Sequence, residues 1–158
     1  MRKRIIAPVQ QETMHPDQKW LNLDALAEVE ITSEDIAHPI ESALMLSEEA
    51  RGWRASEPGI QTIRLLFDKP QRIQRILLRF METRTERTQE FVLRWSPDDV
   101  QSFQEIVRQQ WNFNSQGSNS ETEDYHVDLP RVKVLELVIT PDISGGQSFA
   151  SLMQLRLA

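Results

Sequence analysis

The chain contains no cysteine, and that absence removes a disulfide framework, a thiol nucleophile and every cysteine-ligated zinc site together. No uninterrupted apolar run approaches the roughly 20 residues that a helix needs to cross a bilayer. Arg2, Lys3 and Arg4 followed by Ile5 and Ile6 look briefly like the start of a signal peptide, but Pro8, Gln10, Gln11 and Glu12 end the apolar stretch early, so a cytoplasmic protein is expected. There is no G-x-S-x-G elbow, no G-x-G-x-x-G, no phosphate-cradling loop and no H-E-x-x-H. Basic residues are the minority, 18 against 24 acidic, for a formal charge of −6; this disfavours a sequence-independent grip on nucleic-acid phosphates or anionic lipid.

What is present is 158 residues, 39% hydrophobic and 27% charged, enough to close a core without staples. The expected organisation is an N-terminal extension over residues 1–19 and a single domain over residues 20–158. Apolar residues recur with a period of two, the signature of half-buried strands. Ile63, Leu65 and Phe67 oppose Thr62, Arg64 and Asp68; after a turn at Lys69-Pro70, Ile76, Leu78 and Phe80 oppose Arg75 and Arg79; Phe91, Leu93 and Trp95 oppose Glu90 and Arg94. Similar alternation marks Ala27 to Ile31, Tyr125 to Leu129, Leu135 to Ile139 and Met153 to Leu157. Prolines 39, 58, 70, 97, 130 and 141 fall between these runs, where a missing N–H interrupts no ladder. Residues 103–113 fit helical spacing and strand parity alike and are read as strand; an apolar strand is expected around Ala43 to Leu46, and Ser47 before Glu48 and Glu49 caps a short helical turn. Seven or more short strands with regular turns predict an all-β fold, an antiparallel sandwich or barrel.

The candidate chemistry lies in loops. His15, His38 and His126 are scattered, which argues against an imidazole metal site. His38 stands three residues before Glu41 in a proline-marked loop, a spacing that allows an acid/base pair or simply a turn. Residues 81–89 hold Arg84 and Arg87 between two strands, and guanidinium groups suit carboxylates, phosphates or vicinal hydroxyls. Trp53, beside Arg54, either fills the core or offers an aromatic face, and Phe149, after the loop 143–148, is either core or lip. Residues 114–124 read as a polar surface loop. No cofactor is expected; a structural calcium would have to use the acidic turns at Asp98-Asp99 or Glu121, Glu123 and Asp124.

The run Gly52-Trp53-Arg54-Ala55-Ser56, the strand from Gln61 to Asp68 with Ile73 and Ile76 after it, the strand from Phe91 into Ser96-Pro97-Asp98-Asp99, and the closing pair Val134 to Pro141 and Ala150 to Leu155 together resemble discoidin (coagulation-factor type C) domains, over residues 37–158. The resemblance implies a galactose-binding-like jelly-roll β-sandwich whose end loops bind ligands, in a family of non-catalytic modules for sugars, lipids or proteins. Its sugar-binding positions fall on Arg54 beside Trp53, on Arg84 or Arg87, and on Phe149. Arginine stands at position 54 where the family carries histidine, and Glu48-Glu49-Ala50-Arg51 replaces an early Asp-Gly loop. The leading expectation is therefore a carbohydrate-binding module using Trp53, Arg54, Arg84, Arg87, Phe149 and His38. The alternatives are a protein-protein interaction module using the same loops or a sheet edge, and an enzyme built on His38, Glu41 and Arg84.

Overall fold

The computed structural model describes residues 2–4, 20–47, 51–99, 102–114 and 116–158; His15, the turn expected at Glu48 and Glu49, and most of the N-terminal extension lie outside the described residues. In chain order the elements are α1 (Leu23–Leu26), β1 (Ala27–Ile31), α2 (Glu41–Leu44), β2 (Trp53–Arg54), β3 (Gln61–Met81), β4 (Arg87–Ser96), β5 (Gln104–Phe113), β6 (Ser120–Thr140), β7 (Ser151–Leu152) and β8 (Gln154–Leu157).

β3 and β6, 21 residues each, pair antiparallel from Gln61 opposite Ile139 to Met81 opposite Ser120. In β3 the buried apolar positions are Ile63, Leu65, Phe67 and Ile73, then Ile76, Leu78 and Phe80, so the inward residues change from odd to even numbers. Register shifts between Leu66 and Arg75 absorb that change of phase. Pro70 and Pro130 lie inside this irregular stretch, where a bulge leaves no ladder bond for the missing N–H to break. The expected Lys69-Pro70 turn is thus a bulge, and Pro130 does not divide two strands.

The first half of β3 pairs with β1 and with the second half of β6, which carries β4 and then β5; the second half of β3 pairs with β8 and the first half of β6. The same two strands so build both layers of an antiparallel sandwich. The stacked rings of Phe80 and Phe91, 5.2 Å apart, join the layers. Around them Ile63, Leu65, Leu78, Leu93, Leu137, Ile139 and Leu157 are almost wholly buried, each contributing about 1.5–3 kcal/mol of transfer free energy. On the face of the larger layer turned away from this core, Glu30, Arg64, Glu136, Arg94 and Glu105 stand side by side across five strands. Arg64 Nε donates to Glu136 at 2.7 Å, with Glu30 at 3.6 Å from Arg64 and Arg94 at 3.4 Å from Glu136.

Two other expectations need correction. The segment around Ala43 is a helical turn, because Ile40, Ala43 and Leu44 are the buried residues and i, i+3, i+4 is a helix spacing. Residues 120–124 belong to β6 rather than to a surface loop, held there by pairing with Leu77 to Met81. Glu121 is consequently buried, with Oε1 3.4 Å from Gln89 Nε2 and Oε2 without a partner. Residues 103–113 do form a strand, over the span of β5.

Burial, and then the neighbouring Glu123 carboxyl, push the pKa of Glu121 from an ordinary 4.5 to about 8. A raised pKa means that the fold holds the protonated acid, so this stabilisation is whole below about pH 4.5 and is lost as the pH rises towards 8. Glu121→Gln, which fixes the neutral form, should gain stability over wild type progressively across that window in urea denaturation; parallel pH profiles for the two proteins would contradict it.

Gly52 sets the approach of β2 to β7. Its φ is +80°, and a Cβ there would meet Leu152 O at 2.8 Å and Met153 Cα at 3.0 Å, both backbone atoms. Gly52→Ala should therefore cost about 2–4 kcal/mol from strain and overpacking combined. Gly145→Ala, with φ +88° but open space around it, should lose only the conformational part, about 1 kcal/mol. Equal denaturation midpoints for the two variants would refute the close-approach argument.

Candidate functional site

At one end of the sandwich, three loops meet around β2. After β1 the chain turns tightly, Asp35 bridging His38, with His38 N–H donating to Asp35 O at 2.9 Å and Ile36 exposed at the tip. This turn is tied to one edge of β2: Asp35 N–H donates to Arg54 O at 2.8 Å, and Arg54 N–H to His38 O at 3.2 Å. β7 binds the other edge, Trp53 opposite Leu152 and Arg54 opposite Ser151. The third wall is the end of β3 with the following loop, 82–86, where Glu82 N–H donates to Asn119 O at 2.8 Å.

Together they enclose a cleft of about 420 Å³. Asp35 and His38 line one side, Arg51 and Arg54 the next, and Glu82, Thr83 and Arg84 the third, with Met81 and Met153 supplying apolar surface. Four of the residues expected from the sequence, His38, Trp53, Arg54 and Arg84, are brought together here.

Their roles differ from the expectation in three places. Trp53 is only 1% exposed and its Nε1–H donates to Ser33 O at 3.0 Å; it anchors the floor and offers no open face for stacking. Phe149 does not line the cleft but lies under the Arg54 guanidinium, 5.4 Å from ring centroid to Cζ, a cation–π contact that fixes the arginine. Arg87 points inward, 5% exposed, donating to Glu82 at 2.9 Å, Gln89 at 3.2 Å and Pro141 O at 2.7 Å, with its Cζ 4.8 Å from the Phe113 ring centroid. It is a positioning residue that secures the arginine loop from beneath.

His38 also takes a different partner. Its Nδ1 is 2.8 Å from Asp35 Oδ2, and Glu41 is part of α2. The imidazole, first through this hydrogen bond, holds the Asp35 carboxyl below the usual carboxylate range, with Arg54 adding to the effect. His38 has a carboxylate three residues away on either side; the bridge that closes the 35–38 turn selects the earlier one. Asp35, Arg51 and Glu82 are the cleft residues that the sequence reading passed over. Among the described residues, no group of three or more histidines and carboxylates is arranged to hold a metal ion.

No family model matches the chain. No curated protein matches it either. Solved structures do. A pectin-binding carbohydrate-binding module superimposes with a TM-score of 0.60 at 18% identity, covering 84% of this chain and 89% of its own. The family 32 carbohydrate-binding module from Clostridium perfringens NanJ, in complex with galactose, gives 0.63 at 12% identity, covering 87% and 96%. A chitosan-binding module from a Paenibacillus chitosanase/glucanase gives 0.62 at 15% identity, covering 87% and 98%. The chain therefore shares the fold of these modules, an all-β antiparallel sandwich, as its strand pattern and its motifs indicated.

Proposed function

We propose that the protein is a non-catalytic carbohydrate-binding module whose site is the cleft around β2. The observation that carries this reading is the convergence of His38, Arg54 and Arg84 on one opening of about 420 Å³, a volume within the ordinary range of small-ligand sites. Vicinal hydroxyls of a pyranose match guanidinium donors and carboxylate acceptors, and its apolar face has Met81 and Met153 to rest on. The fold neighbours lend support, being modules that bind pectin or chitosan or were seen with galactose. Catalysis is disfavoured by the state of the carboxylates. Glycoside hydrolysis needs a pair of carboxyl groups free to act as acid and base or nucleophile, whereas Asp35 is paired with His38 and Glu82 with Arg87.

A second reading, a protein-interaction module, draws on the outer edge of β1. Thr32 N–H bonds Thr62 O, so by alternation the backbone groups of Val29 and Ile31 face away from β3. An apolar groove of about 720 Å³ lies beside them, rimmed by Asp24, Glu34 and Glu41. Charge complementarity gives its occupant as an extended partner segment with apolar residues between basic ones.

The test is a broad glycan array probed with wild type, Arg54→Ala, Arg84→Ala and, as a control on the outer face of β5, Arg108→Ala. Saccharide binding that falls at least about tenfold in the first two variants, with their thermal unfolding unchanged, and persists in the control is the expected result. Binding indifferent to both cleft arginines would move the site elsewhere, and a blank array from folded protein would overturn the carbohydrate reading in favour of the β1 edge.

A further inference from the structure

The cleft contains more positive charge than it neutralises. Asp35 is held 2.8 Å from His38, and Glu82 is held 2.9 Å from the buried Arg87. Glu82 thus already has a cationic partner in Arg87, and Asp35 a hydrogen-bond partner in His38. Arg51, Arg54 and Arg84 line the same cleft, and among the described residues none of the three makes an ion pair. On a chain of formal charge −6, three guanidinium groups that line one cavity and form no ion pair among the described residues make a local concentration of positive charge. Long-range electrostatics repel polyanions from most of such a surface, and the low-dielectric walls of a cleft concentrate whatever attraction is local.

The three arginines are not equally placed. Arg54 is the fixed one: its backbone is hydrogen-bonded to the 35–38 turn, and its guanidinium lies over Phe149. Arg84 is exposed on the 82–86 loop, whose base is secured by the Glu82–Arg87 pair, so its side chain is free to close on a bound group. Arg51 is exposed and borders the same space. A rigid fork opposed by adjustable ones suits a planar or tetrahedral anion that accepts two parallel N–H bonds. Neutral hydroxyls can accept hydrogen bonds from these cations but leave their charge uncompensated, a desolvation cost that an anionic substituent repays.

From this geometry we infer that the cleft selects saccharides carrying an anionic substituent, a uronate carboxylate or a sulfate ester, with Arg54 as the fixed anchor and Arg84 and Arg51 closing on the group. The inference rests on the carbohydrate-binding reading and deepens it.

The test is a panel of immobilised oligosaccharides probed with the full chain. Galacturonate, glucuronate, mannuronate and guluronate oligomers each stand beside their methyl esters, sulfated galactan beside its desulfated form, and neutral galactan, glucan and chitin oligomers complete the set. Methyl esterification keeps the ring stereochemistry and removes the charge at the cost of one added methyl group. The expected result is binding to at least one anionic member that falls about tenfold or more when the charge is removed. Raising the ionic strength from about 0.05 M to about 0.5 M should weaken it further. Arg54→Ala and Arg84→Ala, checked for unchanged thermal unfolding, should abolish the preference, and Arg54→Lys, which keeps the charge but loses the fork, should restore part of it. The uronate and sulfate arms identify which anion is taken. Equal binding to charged and uncharged partners, or binding to neutral members alone, would overturn this inference while leaving the carbohydrate module standing; no binding anywhere in the panel would overturn both.

Discussion

The pairing of β3 with β6 is the constraint on which the rest of the structure hangs. Two strands of 21 residues, antiparallel from end to end and bent at a shared run of register shifts, supply adjacent members to both layers. β1, β4 and β5 extend one half of the pair and β8 extends the other. Because the bend carries Ile76, Leu78 and Phe80 back over the layer that holds Phe91 and Leu93, the core closes within one continuous ribbon. The cleft is a by-product of the same geometry. β3 ends at Met81 beside the short β2–β7 pair, and the loop that leaves it carries Arg84 to the cleft.

Much of this architecture was readable in the sequence, since inward-facing parity is a one-dimensional signal. Ile63, Leu65 and Phe67 declare one half of β3, and Ile76, Leu78 and Phe80 the other. What parity did not reveal is that the change of phase between them is a bulge, because a proline preceded by lysine has the same local chemistry in a turn and in a bent strand. Ile40, Ala43 and Leu44 were misread for the opposite reason: four residues of helix are too few for a period to stand out.

The site was legible at the level of segments and much less so at the level of atoms. Arg54, Arg84 and Arg87 are chemically identical in sequence, and their fates are decided by which partners the fold brings to each. Arg87 spends its donors on Glu82, Gln89 and Pro141, the last of them 54 residues away. Arg54 keeps its guanidinium available because its neighbour in space is the ring of Phe149. Trp53 likewise passes from expected ligand platform to buried anchor because Ser33 O accepts its indole N–H. Whether a loop arginine is left with donors to spare is a property of tertiary structure.

The row Glu30, Arg64, Glu136, Arg94, Glu105 guards against an error that the hydrophobic core cannot detect. A slip of one residue between neighbouring strands turns every apolar side chain outward and is forbidden by the core itself. A slip of two preserves parity. Sliding β6 by two against its neighbours would leave Leu135, Leu137 and Ile139 facing inward, yet Arg64 and Arg94 would confront Val134 or Val138 in place of Glu136. The alternating charges make the correct alignment distinguishable from its nearest core-compatible alternative. They act as a vernier on a long strand pair whose apolar surface alone repeats every second residue.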